Sequence, residues 1–155
     1  MRIGFGYDVH ALTEGRELWL GGIRIEYPYG LTGHSDADVL IHAICDALLG
    51  AANMRDIGYH FPDTSGKYKN IDSKILLRET MRILRNAGHE LGNIDATIAA
   101  EQPKLNPHIP DMQKTLAEVM NVSANDISIK ATTTEKLGFT GRSEGIAAYV
   151  VALIK

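Results

Sequence analysis

The chain is poor in the features that would mark it as secreted, membrane-bound or nucleic-acid-binding. It has one cysteine, Cys45, in 155 residues. An internal disulfide is therefore excluded, and a reducing, cytoplasmic setting is expected. Cys45 lies in an apolar stretch, which predicts core packing rather than nucleophilic chemistry. No apolar run reaches the length that spans a bilayer. The opening Met1-Arg2-Ile3-Gly4 lacks the charged, apolar and cleavage regions of a secretory leader. Neither sign of charge dominates: the formal net charge is −3, so no nucleic-acid or membrane partner is expected. Low-complexity segments and repeats are missing. What remains is a chain with 45% hydrophobic residues, long enough for one domain with a real core.

Hydrophobic periodicity divides that domain into elements. Residues 2–9 alternate Ile3, Phe5, Tyr7 and Val9, a strand pattern. Residues 17–27 read as a hairpin around Gly21-Gly22. A helix follows His34-Ser35-Asp36, capped by Ser35 or Asp36, with Val39, Leu40, Ala43, Ile44, Ala47, Leu48 and Ala51 on its apolar face. Residues 53–71 read as a long loop, and loops of that length usually carry function. A second helix starts near Asp72-Ser73, with Ile75, Leu76, Ile83, Leu84 and Ala87 as its apolar positions. A strand over 93–100, a helix from Pro107 or Pro110, a strand over 127–133 and an apolar strand over 145–154 complete the chain. The last two are expected to pair antiparallel. The expected architecture is a single α+β domain, a mixed sheet with helices on one face and a small N-terminal hairpin. Strand 145–154 is apolar on both faces, which predicts a covering subunit and hence a homo-oligomer.

The chemistry begins at Asp8 and His10. Residues i and i+2 of a strand share a face, so a carboxylate and an imidazole leave it together. They form half of a metal site of the mixed oxygen and nitrogen kind that zinc accepts, with one corner left open for substrate. Candidates for the missing ligand are His34, Asp36, Asp38 and His42. Asp38, His42 and Asp46 are spaced i, i+4, i+8 along one helical stripe, so the carboxylates are placed to orient the His42 ring. Spacing alone does not separate His42 from His34. Thr132, Thr133, Thr134 and Glu135 end a strand between Lys130 and Lys136. Hydroxyls and free backbone N–H groups there suit phosphate, and Glu135 suits a hard cation, although the same run is also ordinary strand chemistry. Arg142, in the glycine-rich 138–145 turn, either clamps a phosphate or pairs with Glu144. Asp56-Ile57-Gly58 and Phe61-Pro62-Asp63-Thr64-Ser65 suit a polyol and also suit a plain turn. Lys104 is a further phosphate candidate. The common theme is phosphoryl chemistry.

Four runs occur in a telling order: Gly4-Phe5-Gly6-Tyr7-Asp8-Val9-His10; His34-Ser35-Asp36-Ala37-Asp38 with His42; Asp56-Ile57-Gly58 with Phe61-Pro62-Asp63-Thr64; and Lys130-Ala131-Thr132-Thr133-Thr134-Glu135-Lys136-Leu137-Gly138-Phe139-Thr140-Gly141-Arg142. Together they resemble the 2-C-methyl-D-erythritol 2,4-cyclodiphosphate synthases of the non-mevalonate isoprenoid pathway, over the whole chain. Leu105 and Ala37 stand where Met and Gly would cause no surprise. The resemblance implies zinc on Asp8, His10 and His42, with Asp8 and His10 also against the substrate. It implies that His34, Ser35, Asp56, Ile57, Gly58, Phe61, Pro62, Asp63, Thr64 and Ser65 contact a methylerythritol phosphate. Ala100, Glu101, Gln102, Pro103, Lys104, Leu105 and Asn106, with Thr132, Thr133, Thr134 and Glu135, would contact a cytidine diphosphate. Glu135 would hold magnesium or manganese, His34 and Thr133 would stabilise the transition state, and Phe139 and Arg142 would complete the pocket. The implied assembly is a homotrimer with active sites between subunits, and the implied reaction is an intramolecular cyclisation that releases CMP.

Overall fold

The computed structural model describes residues 1–64 and 66–155. Its strands are β1 (Arg2–Glu14), β2 (Leu18–Leu20), β3 (Ile23–Ile25), β4 (Tyr29–Leu31), β5 (Leu91–Ala99), β6 (Ile127–Thr132) and β7 (Gly145–Ile154). Its helices are α1 (Val39–Ala51), α2 (Ile57–His60), α3 (Ser73–Asn86), α4 (Ile109–Met120) and α5 (Gly138–Gly141). Five strands form one sheet in the order β4-β1-β7-β5-β6, and β2 and β3 pair by themselves. The result is a single-domain α+β fold with a mixed sheet.

Strand β1 carries two sequences interleaved. Its outer face holds Ile3, Phe5, Tyr7 and Val9, all exposed. Its inner face holds Gly4, Gly6, Asp8 and His10, and this is the face that α1 covers. The glycines permit an unusually close approach. A Cβ on Gly6 would lie 2.8 Å from the Ala47 amide nitrogen and would collide with the Ala43 carbonyl oxygen. A Cβ on Gly4 would collide with the Ala47 carbonyl oxygen. Facing them, α1 presents Ala43, Ala47 and Ala51, so backbone meets backbone with only methyl groups between. Because β1 and α1 run in opposite senses, the helix start lies over Asp8 and His10.

Helix α1 is buried on almost every side, including Ile41, Cys45 and Leu49, which its expected apolar face did not contain. Its cap is Asp38, not Ser35 or Asp36. The Asp38 carboxylate is fully buried and accepts from Ile41 N at 3.1 Å, Gly21 N at 2.9 Å and Gly22 N at 2.7 Å. One side chain thereby starts the helix and docks the β2–β3 turn onto it. Both turn residues have positive φ, 62° and 79°, as a two-residue hairpin turn of this hand requires.

Three expectations about the frame need correction. Strands 127–133 and 145–154 do not pair: β6 runs parallel to β5, and β7 lies between β5 and β1, antiparallel to both. The crossover through α4 brings β6 back parallel, and the uniformly apolar β7 takes the central, best-covered place. Residues 53–71 are not a bare loop, since they hold α2 and a 3₁₀ turn over Gly66–Tyr68. On α3 the buried stripe is Leu76, Leu77, Thr80, Met81 and Leu84, while Ile75 is exposed and Ile83 half-buried.

The outer face of β1 and β7 stays uncovered within the chain. Ile3, Phe5, Tyr7, Val9, Tyr149 and Val151 form an exposed apolar band, with the Tyr7 and Tyr149 rings 5.1 Å apart. Among the described residues, no helix is long and apolar enough to cross a membrane.

The close contact of β1 and α1 makes a sharp prediction. Gly6→Ala should cost about 3 kcal/mol of stability or more, because the new methyl group meets rigid helix backbone that cannot turn aside. Urea unfolding followed by circular dichroism measures it. An unchanged transition midpoint would mean that the helix can lift freely from the strand.

Candidate metal centre and flanking clefts

The inner face of β1 and the first turns of α1 converge on three ligand atoms. Asp8 Oδ2 lies 2.8 Å from His10 Nε2 and 3.1 Å from His42 Nδ1, and the two ring nitrogens are 3.2 Å apart. All three side chains are partly buried and could hold one metal ion. Ligand atoms bound tetrahedrally at zinc distances stand roughly 3.4 Å from one another, so this triangle is close to the required size. One oxygen and two imidazole nitrogens are also the donor types that a catalytic divalent ion takes.

The far ring nitrogens are held too. His10 Nδ1 lies 2.8 Å from the Thr32 carbonyl oxygen, which can only accept, so this nitrogen carries a proton and donates. His42 Nε2 lies 3.1 Å from both Ser35 Oγ and Ser73 Oγ. The expectation that Asp38 and Asp46 orient His42 is not met. Asp38 is spent on the helix cap, and Asp46 accepts from Ile57 N at 2.7 Å. Asp36, a candidate ligand by sequence, bonds Ser73 instead.

Electrostatics in the triad are those of a charged cluster. Burial opposes ionisation of Asp8, but hydrogen bonds and positive charge from His10 and His42 outweigh it and hold the carboxyl at about 2. Burial likewise disfavours protonated His10, and the hydrogen bond and charge of Asp8 outweigh it, raising the imidazole above its ordinary value. Without a metal, a proton on His10 partly takes the cation's place.

A cleft of about 210 Å³ opens beside the triad, lined also by His34, Ser35, Asp46, Ile57, Gly58, Phe61, Asp63 and Tyr68. His34 Nε2 is buried without a hydrogen-bond partner among the described residues, although buried polar atoms normally find one. Ala37, at the turn between His34 and α1, has φ 58° and is fully buried. A left-handed alanine costs about 1 kcal/mol, which is why glycine would cause no surprise there. Asp56 caps α2, accepting from Tyr59 N at 2.9 Å, so Ile57 and Gly58 are pinned at both ends by carboxylates. Pro62 and Thr64 are exposed and do not line the cleft, and Ser65 lies outside the described residues.

The second group of expected residues lies elsewhere. Ala100, Glu101, Pro103, Lys104, Leu105, Asn106, Thr132 and Thr133 line a separate cleft of about 420 Å³ at the end of β6. Glu101 Oε1 accepts from Thr134 N at 3.0 Å and Lys136 N at 3.1 Å, and Thr133 Oγ1 donates to Glu135 Oε1 at 2.9 Å. Glu135 and Lys136 both have positive φ, 53° and 64°, so the Glu101 carboxylate braces a strained turn. Gln102, Thr134 and Glu135 do not line this cleft. Phe139 and Arg142 line neither cleft. Arg142 donates to Glu144 at 2.8 Å and 3.2 Å, the plainer of its two expected roles. Strands β7 and β5 separate β1 from β6, about 14 Å at ordinary strand spacing, so one chain does not bring the two clefts together.

Ser73, Asp46 and Tyr68 were not expected here. Ser73 looked like part of a helix start, and Asp46 like a member of a polar stripe. Tyr68 stood in a segment read as loop, with no signal of its own.

Fold and site together define a single-domain α+β protein with an aspartate–histidine–histidine centre for a divalent ion. The YgbB family matches residues 1–155, and the chain belongs to that family. It is 81% identical to the 2-C-methyl-D-erythritol 2,4-cyclodiphosphate synthase of Parabacteroides distasonis, over 155 residues, all of this chain and 96% of that protein. Among solved structures, a 2C-methyl-D-erythritol-2,4-cyclodiphosphate synthase in its CDP-bound form superimposes with a TM-score of 0.92 at 36% identity, covering 99% of this chain and 100% of that one. The bifunctional IspDF from Campylobacter jejuni gives 0.96 at 45% identity, covering 99% of this chain and 42% of that chain.

Protons and metal should compete visibly at this centre. Asp8 is lowered from 3.8 to about 2, so its contribution to stability is present above 3.8 and lost as pH falls towards 2. His10 is raised above 6.5, so its contribution is complete below 6.5 and lost as pH rises through the raised value. Chelator-treated wild type should therefore melt higher than chelator-treated His10→Gln between these limits, with the gap narrowing on either side. Zinc affinity should rise with pH as the His10 proton leaves. A melting gap that is flat with pH would contradict the pairing.

The Glu101 brace is tested by substitution. Glu101→Gln keeps an accepting oxygen and should retain the turn, while Glu101→Ala should loosen it and cost about 1 kcal/mol of stability. Equal unfolding midpoints for the two variants, measured by urea denaturation, would remove Glu101 from that role.

Proposed function

We propose that residues 1–155 form a single catalytic domain that converts 4-diphosphocytidyl-2-C-methyl-D-erythritol 2-phosphate to 2-C-methyl-D-erythritol 2,4-cyclodiphosphate. CMP is the leaving product, and the step belongs to the non-mevalonate route to isoprenoid precursors. The observation that carries this reading is the Asp8–His10–His42 triangle, of a size and donor set for zinc, in a chain 81% identical to an enzyme of that name. The CDP-bound relative supports a cytidine diphosphate ligand here. The single thiol, which cannot form an internal disulfide, supports a cytoplasmic enzyme.

The reaction needs no protein nucleophile and no water. An oxygen of the 2-phosphate forms a bond to the β-phosphorus. The bond from that phosphorus to the bridging oxygen breaks, and CMP leaves with the oxygen. The obstacle is repulsion between two anionic phosphates, which positioning and fixed positive charge must overcome. Asp8, His10 and His42 would hold zinc, a Lewis acid that withdraws charge from a phosphate oxygen. His34 shares that cleft, and its Nε2 has no partner among the described residues, which suits a hydrogen bond to the methylerythritol phosphate. Ser35, Ile57, Gly58 and Asp63 shape the same cleft around the polyol. Lys104, Thr132 and Thr133 suit the diphosphate in the second cleft. Glu135 would hold magnesium or manganese, which would neutralise diphosphate charge as CMP leaves.

The protein is assigned as a homotrimer with its active sites between subunits. Two features support this. The exposed apolar band on β1 and β7 needs a cover, and the two clefts that the substrate must bridge are too far apart in one chain.

The decisive experiment incubates purified protein with the cytidyl substrate, zinc and magnesium in ¹⁸O-water and follows products by ³¹P NMR and mass spectrometry. CMP and an unlabelled cyclic diphosphate are expected, and no CMP release would sink the proposal. Labelled, ring-opened product would favour a zinc phosphohydrolase. His42→Ala should lose bound zinc. His34→Ala should keep zinc while kcat falls on the order of 100- to 1000-fold, as for removal of one transition-state donor. Glu135→Gln should weaken the magnesium dependence and leave zinc content unchanged.

A further inference from the structure

We infer that Ser73, held by Asp36, is a positioning residue that fixes His42 in the tautomer whose Nδ1 lone pair faces the metal position. The inference rests on the assignment of zinc to Asp8, His10 and His42, and it concerns a serine outside that set.

Asp36 grips Ser73 twice. Its Oδ2 accepts from Ser73 N at 3.0 Å, and its Oδ1 accepts from the Ser73 hydroxyl at 2.5 Å. An ionised carboxylate has no proton to give, so the Ser73 hydroxyl proton must point at Asp36. What Ser73 Oγ can then offer His42 Nε2, 3.1 Å away, is a lone pair. His42 Nε2 must therefore carry a proton, and in the neutral ring this leaves Nδ1 bare, against the pull of the Asp8 carboxylate, which draws a proton to Nδ1 in the metal-free protein. Nδ1 is the atom 3.1 Å from Asp8 Oδ2, inside the ligand triangle. The direction of one hydroxyl thus decides which nitrogen of the ligand is available.

Ser35 is not equivalent, although its Oγ is also 3.1 Å from His42 Nε2. It accepts from Ala37 N at 3.1 Å and lies 3.4 Å from Ser73 Oγ, and among the described residues no carboxylate takes its proton. Its hydroxyl can turn either way, so it accepts from His42 without dictating the tautomer. Ser73 is fully buried, while Asp36 and His42 at the two ends of this chain of bonds are half-buried. The backbone around Asp36 is tied as well: Asp36 N donates to the Ile71 carbonyl at 3.1 Å, and Asn70 N donates to the His34 carbonyl at 2.8 Å. The segment that leads into α3 is therefore laced to the turn carrying His34, and the same lacing aims Ser73 at His42.

The test measures zinc by competition against a chromophoric chelator, with wild type, Ser73→Ala and Asp36→Asn stripped and reloaded. Ser73→Ala should bind zinc about 10- to 100-fold more weakly, the usual effect of losing an outer partner of a ligating histidine. Asp36→Asn should fall between the two, because an amide can donate to Ser73 and let its hydroxyl turn towards His42. Melting of the metal-free proteins separates this from general loosening, since a purely structural serine would lower the melting temperature without moving the tautomer. That tautomer is read directly from long-range ¹H–¹⁵N spectra of ¹⁵N-histidine protein in alkaline buffer. Wild type should show His42 protonated at Nε2, and Ser73→Ala should show both neutral forms. Wild type that takes up no zinc would defeat the zinc assignment itself. Wild type with tight zinc, beside variants within twofold of it and an unchanged His42 tautomer, would defeat this inference alone. If Ser73→Ala does not fold, Asp36→Asn decides by the same two readouts.

Discussion

Helix α1 rests on the bare backbone of β1, because Gly4 and Gly6 leave no side chain between them, and the rest of the molecule depends on that contact. An ordinary helix stands off a strand by the thickness of two side-chain layers. Here the layer is reduced to Ala43, Ala47 and Ala51 against glycine. The approach brings His42, at the helix start, within ligand distance of Asp8 and His10 further along the same strand face. A single methyl group at Gly6 would act on the metal centre as well as on the core, since the helix that would have to move carries one of the three ligands. Packing and chemistry are therefore one constraint in this part of the fold.

The carboxylates around the centre have divided the work among themselves. Asp8 alone enters the ligand triangle. Asp38 caps α1 and docks the hairpin, Asp46 and Asp56 hold the two ends of the Ile57–Gly58 segment, and Asp36 grips Ser73. Each of the four accepts from hydrogen-bond donors, three of them from backbone N–H groups alone and Asp36 from two amides and a hydroxyl. These bonds hold the backbone around the cleft in place. The same economy operates in the second cleft, where Glu101 is occupied by the Thr134 and Lys136 amides.

How far all this was legible in the sequence depends on the range of the interactions. Period-two and helical patterns located the strands and helices because those patterns are local. The pair Asp8 and His10 was legible for the same reason, as strand neighbours on one face. The choice between His34 and His42 was not, because it depends on how α1 lies over β1, and only the resemblance to a known family favoured His42. The Asp38–His42–Asp46 stripe misled because helical spacing says nothing about where a helix begins. Once α1 starts at Val39, Asp38 is a cap and its oxygens are spent. Ser73 was invisible in its role: Asp72-Ser73 is a good helix start on its own terms, and its partner lies 37 residues earlier. The parallel placement of β6 was missed because two apolar strands close in sequence invite pairing, while the sheet inserts β7 between β1 and β5.

Strand β1 also carries the argument for assembly. Its two faces have opposite characters, and the alternation of Ile3, Phe5, Tyr7 and Val9, which marks the strand in the sequence, belongs to the face that the chain leaves open. Glycine on the inner face and large apolar groups on the outer face are the reverse of what a monomeric sheet needs. An exposed band of this size, continued by Tyr149 and Val151 on β7, is costly in water and marks a contact surface. The proposed trimer answers that cost and the separation of the two clefts together: a neighbour seated on this band is the natural source of a Thr132–Glu135 turn to face the metal centre. A cyclisation that must hold two phosphates against each other is well served by this arrangement. In the proposed trimer the metal ligands would stand on one rigid strand-and-helix pair and the diphosphate donors at the end of β6 and in the connector after β5, so the interface between copies would set the distance between them.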